Sequence, residues 1–406
     1  VTRLRLLAYS SLLVLVASDI ACNPPTAEIC DITRRSCQES IYQHLLSLRG
    51  DGFGPFDELP PVTIITEDEF RQHLLQDEAE TNPSGDPNPF DKALDLLHFT
   101  DSKAGGGAGS STIDDQATHV YAFYDPVRKA VTIVSHPTRT ADDPSTPVIS
   151  LAHELVHFLQ DRQLDLRWED AEDSDSYLAY DAIIEGDATF YELLFANDLL
   201  HLKYDQTDIA SLVQRILSYN YAHFEENGTP LFAAMLLVYP LGGIYEANLY
   251  QGGGNAAVRH GYAKAPRRTV GLLLGSDGKA PPVGPGVQNQ APAVCSLPIN
   301  GDTAGADQFG ALLLYTFLRG WNVDHDVAYA TARTWTGDFL RVQASPDLAT
   351  TAVAWRIEVS TPPPASVVEA LRATGELSVT TAANSLTIEV SDPPTGLVWE
   401  PASNCR

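Results

Sequence analysis

His153-Glu154-Leu155-Val156-His157 sets two imidazoles four positions apart, with a carboxylate directly after the first. On a helix, positions i and i+4 share a face, so both rings can reach one divalent cation. Glu154 then projects beside the open coordination position. A zinc ion held this way lowers the pKa of a bound water to about 7, and a neighbouring carboxylate can take that water's proton. The flanks favour this chemistry. Ile149, Leu151, Leu155, Val156, Phe158 and Leu159 surround the three polar residues, and no other acidic or basic side chain falls between Ile149 and Gln160. A surface helix would carry a polar face, so this one reads as buried. A buried glutamate between two buried histidines is costly unless something pairs with all three, and a cation would.

A catalytic site of this kind needs a third protein donor. Downstream, apolar residues at 183, 184, 188, 190, 191, 194 and 195 predict a second core-facing helix. Glu185 sits in it, and Gly186 and Ala188 leave room for close approach. Two histidines, one glutamate and a water make a known catalytic zinc set. Asp181 and Glu192 are the next candidates for the third ligand, and a Glu185 that merely solvates its helix is the competing reading.

H-E-x-x-H followed by a helical E-G-x-A resembles the gluzincin metallopeptidases, in particular the peptidase-MA-like group. The resemblance covers about residues 117–200. It implies His153, His157 and Glu185 as Zn2+ ligands and Glu154 as general base. It also implies a zincin-like α+β fold, with a mixed sheet over the active-site helix and a helical lower half. Tyr239-Pro-Leu-Gly242-Gly-Ile-Tyr245 resembles the Y-x-x-G-x-x-aromatic helix start that follows the third ligand in such proteins. Gluzincins commonly stabilise the oxyanion with a downstream Tyr or His, which makes Tyr239, Tyr245, His260 and Tyr262 candidates, Tyr239 first among them.

The surrounding elements must position these groups. Residues 119–124 and 130–135 read as two strands joined by a turn at 125–129. Leu59 to Ile65 reads as a strand, and Thr66 with Glu69 as a capping box opening a helix to about Glu78. Further helices are expected at 89–97, 208–221, 230–239, 309–318 and 324–334. From Phe339 the pattern changes to alternating, β-branched segments at 340–344, 352–359, 377–379 and 386–390, with a helix at 366–374. These predict a small α+β unit built on an antiparallel sheet. The organisation is a signal segment at 1–21, a tether at 22–40, a catalytic part at 41–275, a Gly/Pro-rich loop at 276–308 and a C-terminal unit at 309–406. The acidic run 169–175 reads as a solvated loop, with calcium as the rarer alternative.

The formal charge of −27 disfavours nucleic-acid binding and anionic membrane surfaces, which need a basic face. Arg3 and Arg5 precede an apolar stretch from Leu6 to Ala17, too short for a span and suited to a secretory signal. Cys22 after Ile20-Ala21 resembles a bacterial lipoprotein cleavage site, although Asp19 departs from the usual pattern. Export to the cell envelope or the exterior is therefore expected. Of the other cysteines, Cys30 with Cys37 and Cys295 with Cys405 is the favoured pairing of three possible ones.

The expectation is zinc-dependent peptide-bond hydrolysis by an exported metallopeptidase acting on a peptide or protein. The alternative is a cell-surface binding or structural lipoprotein whose zinc site is silent or absent.

Overall fold

The computed structural model describes residues 29–50, 59–81, 88–100, 113, 117–118, 120–136, 144–166, 171–224, 228–276, 303–345, 349–373 and 375–392. The signal segment, Cys22, Cys295, Cys405 and most of the 276–308 loop lie outside them. The described chain is a mixed α+β structure. Its helices are α1 (Arg35–Arg49), α2 (Glu67–Thr81), α3 (Pro89–Leu96), α4 (Thr146–Leu164), α5 (Ser174–Leu199), α6 (Gln206–Ala222), α7 (Pro230–Gly261), α8 (Thr269–Gly275), α9 (Gly310–Gly320), α10 (His325–Ala332) and α11 (Ala365–Ala373).

Three strands, β1 (Val62–Thr66), β2 (Ala122–Asp125) and β3 (Ala130–Ser135), form a mixed sheet in the order β1-β3-β2. β1 runs parallel to β3, with Ile64 opposite Ile133; β2 runs antiparallel, with Ala122 opposite the same residue. The expected hairpin is present. Asp125 Oδ1 accepts from the amides of Val127 and Arg128, which closes its turn. The capping box is present too: the Thr66 amide donates to Glu69 Oε2 at 2.7 Å and the Glu69 amide to Thr66 Oγ1 at 3.2 Å.

Helix α4 leaves this sheet and enters the core, where every residue from Val148 to Asp161 is buried. Asp165 in the left-handed conformation, φ 53°, ends it. Helix α5 opens on Asp173, whose carboxylate accepts from the Ser176 amide while Ser176 Oγ accepts from the Asp173 amide. Asp173 also pairs with Arg268 at 2.5 Å, and Asp175 accepts from Thr269. These two acids of the 169–175 run are thus committed to protein partners rather than to a solvated loop.

Helix α7 passes against α5 at a place where neither backbone carries a side chain. A Cβ at Gly186 would overlap the backbone of Gly242 and Gly243, and one at Gly242 would overlap the Ala182 carbonyl. The room that Gly186 was expected to leave is used by another helix.

Five antiparallel strands make the second sheet, in the order β4-β5-β6-β8-β7: β4 (Thr303–Asp307), β5 (Trp335–Ala344), β6 (Thr351–Val359), β7 (Ser378–Ala382) and β8 (Ser385–Asp392). Asp338 joins it to the helices: its carboxylate accepts from the amides of Phe309 and Gly310 at the start of α9 and from the indole nitrogens of Trp335 and Trp355. One contiguous apolar core runs from Ile32 to Ile388 through both sheets and the helices between them.

Four expectations need correction. The segment assigned to a tether is helical from Arg35, and Cys30 and Cys37 form a disulfide there. The helix expected at 230–239 continues through Pro240 to a kink at Gly253 and Gly254, beyond which a second helical stretch reaches Gly261, so Tyr239-to-Tyr245 lies mid-helix and not at a helix start. Proline removes one backbone bond, and burial of the residues on either side holds the helix through the gap. Residues 303–307, placed in the long loop, pair with β5 as an edge strand. The strand expected at 340–344 begins earlier, at Trp335, directly after the helix expected at 324–334.

Candidate metal centre

Helix α4 carries His153 and His157 toward α5, and α5 carries Glu185 toward them. Ligand atoms of His153, His157 and Glu185 all lie within 4.8 Å of one another. Glu185 Oε2 stands 3.1 Å from His153 Nε2 and 3.3 Å from His157 Nε2. A tetrahedral centre with bonds of about 2.0–2.1 Å spaces its donors roughly 3.3 Å apart, so these separations suit zinc.

The outer nitrogen of each ring explains which inner atom is offered. His153 Nδ1 is 2.9 Å from Glu192 Oε2, and a carboxylate there accepts the Nδ1 proton. His157 Nδ1 is 2.8 Å from Gln160 Oε1. The orientation of that amide follows from its nitrogen, which donates at 2.8 Å to the Ile184 carbonyl and at 2.8 Å to Asp187 Oδ2. Its oxygen must therefore face His157 and accept from Nδ1. Both Nε2 atoms are left presenting lone pairs to a carboxylate oxygen. Three converging acceptors in a buried place need a cation or a proton among them. Glu185 Oε1 has no hydrogen-bond partner among the described residues. Such an oriented pair of imidazoles is the usual support for metal-ligating histidines.

Glu154 is fully buried, and its charge acts on both rings. Burial pushes each imidazole's pKa down, but Glu192 and Glu185 push back harder, and both histidines end above their ordinary value. For Glu185 burial raises the pKa, and the two histidines reverse it, down to about 2. The sign for stability follows. In metal-free protein the imidazolium–Glu185 pairing stabilises the fold fully between pH 4.5 and 6.5, and this is lost as pH rises through the elevated folded values of the histidines or falls through that of Glu185. Zinc requires neutral rings and releases those protons on binding. Zinc should therefore raise the melting temperature more at pH 8 than at pH 6. A zinc-induced shift that shrinks as the pH rises would speak against this ligand set.

The sequence-derived candidates distribute unevenly. Glu192, considered as the third ligand, instead orients His153. Asp181 is buried one turn before Glu185 on α5. Tyr239 is buried with its ring centroid 6.1 Å from that of His153. Tyr262 lies behind the site, its hydroxyl 3.4 Å from Gln160 Nε2. Tyr245 donates to the Gly261 carbonyl, and His260 is exposed and bonded to the Ala256 carbonyl of its own helix. Gln160 and Asp187 were not singled out from sequence; the only signal for Gln160 is its place one turn after His157.

The cluster is closed. His153 is 1 % exposed, His157 2 %, and Glu154 and Glu185 not at all. A cavity of about 210 Å³ lies one helical turn away, lined by Ile32, Ile64, Tyr121, Ile133 and Ser150 among others, and none of the four site residues lines it.

Comparison of the chain with models of protein families, with curated proteins and with solved structures finds no match in any of the three.

Proposed function

We propose that this chain is a zinc-dependent hydrolase of peptide bonds, of gluzincin type with a zincin-like core. His153, His157 and Glu185 hold the ion. The observation that carries this reading is the convergence of the two oriented Nε2 atoms on one oxygen of Glu185. When bound, zinc supplies a polarised scissile carbonyl and an acidified water. With the ion held there, Glu154 would accept a proton from the attacking water and deliver it to the departing amine. Glu192 and Gln160 hold the imidazoles in the tautomer and rotation that binding needs. Tyr239, its ring centroid 6.1 Å from that of His153, is the favoured oxyanion candidate, and its hydroxyl would share the developing negative charge. The mixed sheet leading into α4 and the helices below it suit a zincin arrangement, and β1 and β2 are edges that an extended peptide could join. The signal-like leader supports an exported location, with Cys22 a site for a lipid anchor at the cell envelope and release to the exterior the alternative.

Complete burial of the cluster favours a second reading, in which the ion clamps α4 to α5 and turns nothing over. Metal content and peptide-library turnover of purified protein separate the two. One equivalent of zinc with chelator-sensitive cleavage supports hydrolysis. One equivalent of zinc without cleavage supports the clamp, and no zinc at all removes both.

A further inference from the structure

Arg49, the last residue of α1, is fully buried, and its guanidinium Nη1 lies 2.7 Å from Asp187 Oδ2. That same oxygen receives Gln160 Nε2 at 2.8 Å, and Gln160 Oε1 accepts from His157 Nδ1 at 2.8 Å. We propose that Arg49 and Asp187 are positioning residues for the metal centre: through Gln160, a cation brought from the N-terminal helix sets the rotation and tautomer of His157. This rests on the zinc reading above and deepens it.

Every link is dry: Arg49, Asp187 and Gln160 are each 0 % exposed. Replacing a buried ion pair with apolar side chains is often neutral or stabilising, so stability alone is a weak reason for one at this position. The pair is also clamped from several sides. The Arg49 guanidinium lies 4.3 Å from the centre of the Tyr191 ring, and Tyr191 donates to Asn255 Oδ1 at 2.6 Å. Asn255 Nδ2 in turn donates to the Leu48 carbonyl at 2.8 Å, and Arg259 reaches the Arg49 carbonyl at 3.3 Å. Helix α1 is further fastened by the Cys30–Cys37 disulfide before it and by Gly50 after it, which at φ 77° donates its amide to the Leu46 carbonyl. Glu246, buried on α7, has no hydrogen-bond partner at either oxygen among the described residues, and burial with the nearby Asp187 charge pushes its carboxyl well above the usual range, so the geometric partner of Arg49 is Asp187.

Asp187 uses its charge to hold one amide proton of Gln160. Without that charge only the Ile184 carbonyl holds the Gln160 nitrogen firmly, and the amide oxygen is less tightly fixed toward the Nδ1–H of His157. The test compares full-length wild type with Arg49→Met, Arg49→Lys and the neutral double variant Arg49→Met/Asp187→Asn. The readouts are zinc affinity by chelator competition, the visible spectrum of the cobalt-substituted protein, and the melting temperature without metal. Loss of an outer support of a metal-ligating histidine typically costs about 10–100-fold in affinity. Arg49→Met and the double variant should show that loss with an altered cobalt spectrum, and Arg49→Lys should recover most of it. Should Arg49→Met fail to fold, the double variant carries no unpaired buried charge and reads the same chain. A lowered melting temperature with unchanged affinity and cobalt spectrum would mean that the pair is structural only, and would overturn the inference while leaving the zinc reading intact. A wild type that takes up no zinc would overturn both.

Discussion

Exchanging Glu154 for Gln should abolish peptide hydrolysis while leaving one zinc per chain. The side chain keeps its shape and its buried place on α4, directly after His153. Only the ability to accept a proton is removed. General-base catalysis contributes about 10²–10⁴-fold, so turnover should fall by at least two orders of magnitude with KM little changed. The measurement is steady-state cleavage of a quenched peptide together with metal content of the same sample. A Glu154→Gln protein that cleaves at the wild-type rate would eliminate the mechanism. A variant that loses zinc instead would show Glu154 to be part of the ligand set.

The second large effect is structural, at the residue after the third ligand. Gly186→Ala places a methyl group into the backbone of α7 at Gly242 and Gly243. No side chain at the contact can rotate away, because both partners are main chain. Overpacking a core commonly costs about 1–3 kcal/mol, and a backbone-to-backbone collision belongs at or above the upper end. If the fold survives, α5 must shift away from α7 and carry Glu185 with it. Metal-free melting temperature should drop by many degrees, and zinc affinity should fall in whatever protein remains folded. A Gly186→Ala protein that melts and binds zinc as wild type does would show that the two helices do not touch there.

Much of the site was legible because its ligands obey helical spacing. His153 and His157 reveal themselves by a four-residue interval within an apolar run, and Glu185 by small neighbours on a second apolar helix. The strands of the C-terminal unit were legible for the analogous reason, since β-branched alternation reports a pleated, half-buried surface. What was missed depends on long-range partners. Arg49 meets Asp187 across 138 residues of sequence, and nothing local distinguishes it from an ordinary basic residue at a helix end. Gln160 gains its role only when α5 supplies two acceptors for its nitrogen. Thr303 to Asp307 has poor strand propensity, and the ladder to β5 imposes the conformation. Pro240 signals a helix end by local rules, and burial along α7 overrides it. The N-terminal helix was hidden beside a leader-like stretch and two cysteines, whose disulfide lies at its first turn.

The closure of the metal centre has a kinetic corollary. Donor atoms this well sheltered exchange their cargo only when the surrounding helices breathe, because neither solvent nor a chelator reaches them in the resting fold. Residence time then belongs to the opening motion as much as to bond strength. An ion captured there during folding would be retained long after its free concentration had fallen, and the moment of loading, more than equilibrium supply, would then decide which metal the cluster holds.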